Sequence, residues 1–94
     1  MKNAIPFENG ITERLAGEPD FRRAYADEAF AAFRDGEVSV GLSMLRDIVK
    51  ARMGFHELAN RTGLHEKSLV RALSTRGNPT VRTLGKIGLA LAEA

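Results

Sequence analysis

Residues 58–73 read LANRTGLHEKSLVRAL. Apolar residues recur three and four positions apart at both ends of this stretch, the spacing of one helical face, and Gly63 stands between them. Glycine costs a helix interior about 1 kcal/mol relative to alanine, yet it reaches positive φ at little steric cost. The pattern therefore predicts two helices joined by a sharp reversal rather than one continuous helix. Ala59 falls where the two helices approach most closely and a small side chain is needed, and Leu58, Leu64, Leu69 and Ala72 fall on the inward faces. His65, Glu66, Lys67, Ser68 and Arg71 are left outside. Two helices joined by a short glycine-containing turn make a helix-turn-helix. The outer helix of such a pair fits the major groove of B-DNA, which is about 12 Å wide, with its first turn toward the base edges.

Working outward, helical signals dominate and no segment alternates with period two for long enough to predict a strand. Toward the N-terminus, EPDFRRAYADEAFAAFRDG (residues 18–36) starts with Pro19 and Asp20, suited to a first helical turn. It carries Phe21, Tyr25, Ala29 and Phe33, with Ala26 and Phe30 beside them, as an apolar stripe expected in the core. Gly36 is read as its stop. A second helix is expected from about Ser39 to Met53, ended by Gly54, with Leu42, Leu45, Ile48, Val49 and Arg52 following the 3–4 rhythm and Arg46, Asp47 and Lys50 on the other side. Short helices follow from about His56 to Thr62 and His65 to Ser74. Beyond the loop TRGN, Asn78 is placed to cap a last helix with Pro79 at its first position and Val81, Leu84, Ile87 and Leu91 on one face. The segment before Glu18 reads as a loose start. The expectation is an all-α domain of five helices: an N-terminal segment, 1–37, with one amphipathic helix packed on a helix-turn-helix unit, 38–94.

Charge separates the same two parts. Residues 1–37 hold five basic against eight acidic residues, a net −3, and residues 38–94 hold nine against four, a net +5. Such asymmetry suggests that the C-terminal part meets a polyanion. The 94 residues include no cysteine, which excludes disulfides and thiolate metal sites. The N-terminus MKNAIPFENG has no apolar run of a signal peptide, and no stretch approaches membrane-spanning length. A cytoplasmic protein without cofactor is expected. His56 and His65 have no partners for a four-ligand zinc site. His65, Glu66 and Ser68 crowd one turn of a convex helix, without the cleft a hydrolase triad needs, so an enzyme is not expected.

The stretch GFHELANRTGLHEKSLVRALSTRGNPTVRTLGKIGLALA resembles the helix-turn-helix domain of phage-repressor-like regulators, the XRE or λ-repressor-like superfamily. More narrowly, GNPTVRTL, MLRDIVKARMG and EPDFRRAY together resemble the HigA-type addiction-module antidote proteins, over about residues 18 to 92. The resemblance implies a five-helix domain that binds operator DNA as a homodimer, represses its own operon and neutralises a small RelE/HigB-like toxin. It implies a recognition helix from Leu64 to Ser74. Glu66 and Lys67 would reach bases, Ser68 and Arg71 would follow along the groove, His56 would sit near a phosphate, and Arg76 would contact backbone from the loop. The family commonly has Ser or Thr where His65 stands, and histidine is the poorer helix cap. Glu66 would repel phosphates but could accept from a cytosine amino group. Two alternatives stay open: a prophage-type repressor, and a module that uses the same fold only to hold a toxin through its acidic N-terminal segment (Glu8, Glu13, Glu18, Asp20, Asp27, Glu28).

Overall fold

The computed structural model describes residues 7–92, with side chains from residue 10 onward. Among these residues the chain is all-helical: α1 (Phe7–Gly17), α2 (Pro19–Arg34), α3 (Val38–Arg52), α4 (Gly54–Thr62), α5 (Glu66–Ala72) and α6 (Val81–Ala92). None of them is long and apolar enough to cross a membrane. There are six helices where five were expected, because the segment read as a loose start forms α1. Its apolar signal is thin: Ile11 is partly buried against the core and Leu15 is fully buried. Packing on α2 and α3 stabilises α1, as it does most short helices in proteins.

Only Glu18 separates α1 from α2. Pro19 occupies the start of α2, where its missing N–H costs nothing. The guanidinium of Arg22 donates to the carbonyls of Leu15 at 2.8 Å and Ala16 at 3.4 Å, satisfying groups that the end of α1 leaves without intrahelical partners. Arg14 stacks over the Phe21 ring, 3.8 Å from its centroid, and pins the corner from the other side.

Helix α3 runs through the core. Leu42, Leu45, Ile48 and Val49 are all fully buried, joined there by Ala29 of α2, Leu58 of α4, Leu69 and Leu73 of the α5 region and Ile87 of α6. Helices α2 and α3 approach closely at Gly41. A Cβ at that position would meet the Ala29 carbonyl oxygen at 2.8 Å and the Phe33 ring at 2.7 Å, so only glycine fits the crossing. One polar contact crosses the same interface: the Tyr25 hydroxyl donates to Asp47 Oδ2 at 2.8 Å. Burial, and then this carboxylate, raise the Tyr25 pKa to about 12.

Three expectations for core faces and caps need correction. Phe30 is 38% exposed, although Gly88 of α6 lies beside its ring. Val81 is 86% exposed, because α6 begins there and its first turn extends past the core. The last helix also starts later than expected. Asn78 and Pro79 lie before it, and Thr80 caps it, with Thr80 Oγ1 accepting from the Thr83 amide at 3.1 Å.

Candidate functional site

The α4–α5 pair is built by local chemistry. Gly63 closes α4 in the left-handed region, at φ 75° and ψ 13°, and its amide donates to the Ala59 carbonyl at 2.9 Å. The Thr62 hydroxyl donates back to the Leu58 carbonyl at 2.8 Å and accepts from the Leu64 amide at 3.3 Å. His65 follows in extended conformation, at φ −69° and ψ 138°, and its side chain makes no capping bond. The chain then enters α5 with the Leu69 amide on the His65 carbonyl at 3.0 Å. Leu58, Leu69 and Leu73 are buried between the two helices and α3, while Ala59, Leu64 and Ala72 are half-buried around them.

What remains of α5 faces solvent. His65, Glu66, Lys67, Ser68 and Arg71 are all exposed, and Arg76 is exposed in the loop beyond. Val70 belongs with them at 46% exposure, although its residue type suggested no such role. An apolar side chain between Lys67 and Arg71 gives the surface a contact for something other than charge. The face is convex. Its recesses are shallow, one lined by Glu66, Lys67, Val70, Arg71 and Ser74 and another by His65 to Ser68.

The charges on this face are arranged unequally. Glu66 Oε1 lies 3.3 Å from His56 Nδ1, so the acidic residue at the start of α5 is held by the helix before it. His56 does not open α4, which begins at Gly54; it occupies the first turn and points at Glu66. Arg61 pairs with Glu57 at 3.0 Å on α4. Lys67, Arg71 and Arg76 take part in no ion pair among the described residues. Among those residues, three cations therefore face outward without an acidic partner, beside one acid that has a partner.

The far end of α5 is fixed from the core side. The guanidinium of Arg46, on α3, donates to the Leu73 carbonyl that ends α5. The helical pattern assigns Arg46 to the outer side of α3; it is half-buried and braces the candidate site instead. No local signal announces this, since the partners are 27 residues apart. Ser74 then turns the chain, its hydroxyl donating to the Arg71 carbonyl at 2.7 Å, and carries it toward the Arg76 loop.

The described residues contain no group of three or more His, Cys, Asp or Glu side chains that could hold a metal ion. The chain matches no protein-family profile, no curated protein and no solved structure.

Proposed function

We propose that this chain is a sequence-specific DNA-binding transcriptional regulator whose reading element is α5. One observation carries the proposal: a short helix, set off by a left-handed glycine and fixed at its far end by Arg46, presents Lys67, Ser68, Val70 and Arg71 to solvent. A helix with this exposure suits the major groove. There Lys67 and Arg71 would donate to guanine acceptors or to phosphates, and Val70 would touch a thymine methyl. Glu66, oriented by His56, would accept from a cytosine amino group. Arg76 would contact the backbone, which positions the protein without reading sequence. The +5 charge over residues 38–94 supports the same reading.

Within this class, the resemblance of GNPTVRTL, MLRDIVKARMG and EPDFRRAY favours the antitoxin of a toxin–antitoxin module, which represses its own operon as a homodimer and binds a RelE/HigB-like toxin. A dimer would read two half-sites about one helical turn apart. The acidic N-terminal residues would meet the basic toxin. Two of them are already paired, Glu18 with Arg14 and Asp20 with Arg23, which leaves Glu13, Asp27 and Glu28 as the exposed acids that would carry that contact. The side chain of Glu8 lies outside the described residues.

The decisive experiment selects duplexes from a random pool at low salt and tests the recovered site alongside DNA upstream of the chain's own gene. Lys67→Ala and Arg71→Ala should each weaken the selected site by about 1–3 kcal/mol if they touch bases. A contact to phosphate alone would instead weaken all sequences alike and flatten the salt dependence. Unchanged affinity in both variants would remove α5 as the reading surface.

A further inference from the structure

Away from α5, helices α2, α3 and α6 leave a cleft of about 400 Å3. Its floor is apolar: Ile48 is fully buried, Leu91 nearly so, and the Phe30 ring lies 38% exposed along one side. Gly88 stands against that ring, where a Cβ would come within 3.3 Å of Phe30 Cζ, so a larger residue would press on the ring. The lining is cationic. Among the described lining residues, Arg22 and Arg23 come from α2 and Arg52 from α3, with one carboxylate, Asp27, beside them.

We propose that this cleft binds a small amphipathic carboxylate, with the acid group among Arg22, Arg23 and Arg52 and the apolar body over Ala26, Phe30 and Leu91. A volume of this size lies within the range of small-molecule sites, about 300–1,000 Å3, which are mostly apolar with a few convergent polar groups. Planar guanidinium groups match a carboxylate better than an ammonium would. Arg22 and Arg23 keep donors for such a ligand. Arg22 engages the α1 carbonyls through Nη1 alone and Arg23 reaches Asp20 through Nη1 alone, of five N–H groups on each guanidinium. The described lining carries an excess of positive charge. The Arg22 pKa is lowered, first by burial and then by the like charges of Arg52 and Arg23, and a bound anion would relieve that repulsion. An apolar ligand would gain only the floor, and an inorganic anion only the arginines. An acid with an apolar chain or ring uses both. None of these residues lies on α5, so the inference stands apart from DNA binding.

The test titrates the isotope-labelled full chain, followed by amide resonances, with octanoate, octanol and octylammonium at low salt and below their aggregation concentrations. Octanoate should saturably shift the amides of Ala26, Phe30, Gly88 and Leu91. It should bind at least about tenfold more tightly than octanol, as a charge-assisted hydrogen bond predicts, and octylammonium should bind more weakly still. In the double variant Arg23→Gln, Arg52→Gln the preference for octanoate over octanol should vanish while octanol binding persists. Arg22 is left intact because it holds the end of α1. Equal binding of octanoate and octanol to the wild-type chain would overturn the proposal, whether or not the variant folds. So would octanoate shifts confined to residues outside the cleft. Cleft resonances that move with protein concentration in the absence of ligand would assign the cleft to a second copy of the chain instead, and would likewise overturn it.

Discussion

Helices α3 and α5 carry the same kind of sequence signal, apolar residues three and four positions apart, and the fold uses them in opposite ways. Five residues of α3 are buried, and the helix contributes to the core from Gly41 to Val49. Only Leu69 of α5 is buried within the helix; apart from the half-buried Ala72, its other side chains are exposed. A seven-residue helix is too short to be stable by itself. It holds because Gly63, Leu69, Leu73 and the Arg46 brace position it against the buried α3. The contrast separates a scaffold, whose residues are chosen for volume, from a presenting helix, whose residues are left to the surface.

The largest test of this division is Leu45→Ala. Leu45 is fully buried at the centre of α3, so its truncation should cost about 2–5 kcal/mol in chemical denaturation. The surface variants Lys67→Ala and Arg71→Ala should leave stability within about 0.5 kcal/mol while weakening the proposed DNA binding. A scaffold mutant that unfolds nothing, or a surface mutant that unfolds the chain, would break the comparison. Gly41→Ala comes next. In an exposed helix this change stabilises by about 0.5–1 kcal/mol. Here the new Cβ would press on the Ala29 carbonyl and the Phe33 ring, and overpacking of this kind costs about 1–3 kcal/mol, so the net change in thermal or urea unfolding should be a loss.

Arg46→Met sharpens the comparison by acting on the joint between the two regions. It removes the donor to the Leu73 carbonyl and should cost about 1.5 kcal/mol, the lower range for a hydrogen bond from a charged group. Amide exchange should speed up in α5 more than in α3, because only α5 loses its brace. Uniform acceleration across all helices would show that Arg46 supports the whole fold rather than α5 alone.

The smallest effect belongs to Tyr25→Phe, expected to cost about 1 kcal/mol through the lost bond to Asp47. Its signature is a pH dependence. The folded chain keeps the phenol proton to about pH 12, whereas an unfolded tyrosine releases it near pH 10. The contribution is therefore whole below about pH 10 and lost as pH rises toward 12. The chain has a single tyrosine and no tryptophan, so phenolate absorbance reports this group alone. Wild-type stability should fall more steeply than that of Tyr25→Phe across this range, and equal slopes would show that the fold does not hold the phenol proton.

Much of this division is legible in one dimension, for reasons that are themselves local. The stripe Leu42, Leu45, Ile48 and Val49 records a helix packed along one face. Gly63 records a backbone angle that other residues rarely adopt. The exposed set from His65 to Arg71 is what remains once the inward positions of α5 are assigned. Helix α1 escapes a reading of the sequence because its own apolar pattern is sparse, and what orders it comes from α2 and α3. The start of α6 lies two residues beyond its expected place because Asn78 and Thr80 are both good caps, and the choice between them depends on where the loop can reach.

By itself, then, the amino-acid order determined the all-helical class, the break at Gly63 and the residue types offered by α5, because helical period, glycine φ and side-chain charge act within a few residues of one another. Only the tertiary structure decided that Arg46 braces Leu73 across 27 positions and Tyr25 meets Asp47 across 22. It also decided that Phe30, a residue with the pattern of a core aromatic, lines an arginine-rimmed cleft. Those contacts depend on how separate helices cross, and crossing is set by the summed packing of the whole core rather than by any one segment.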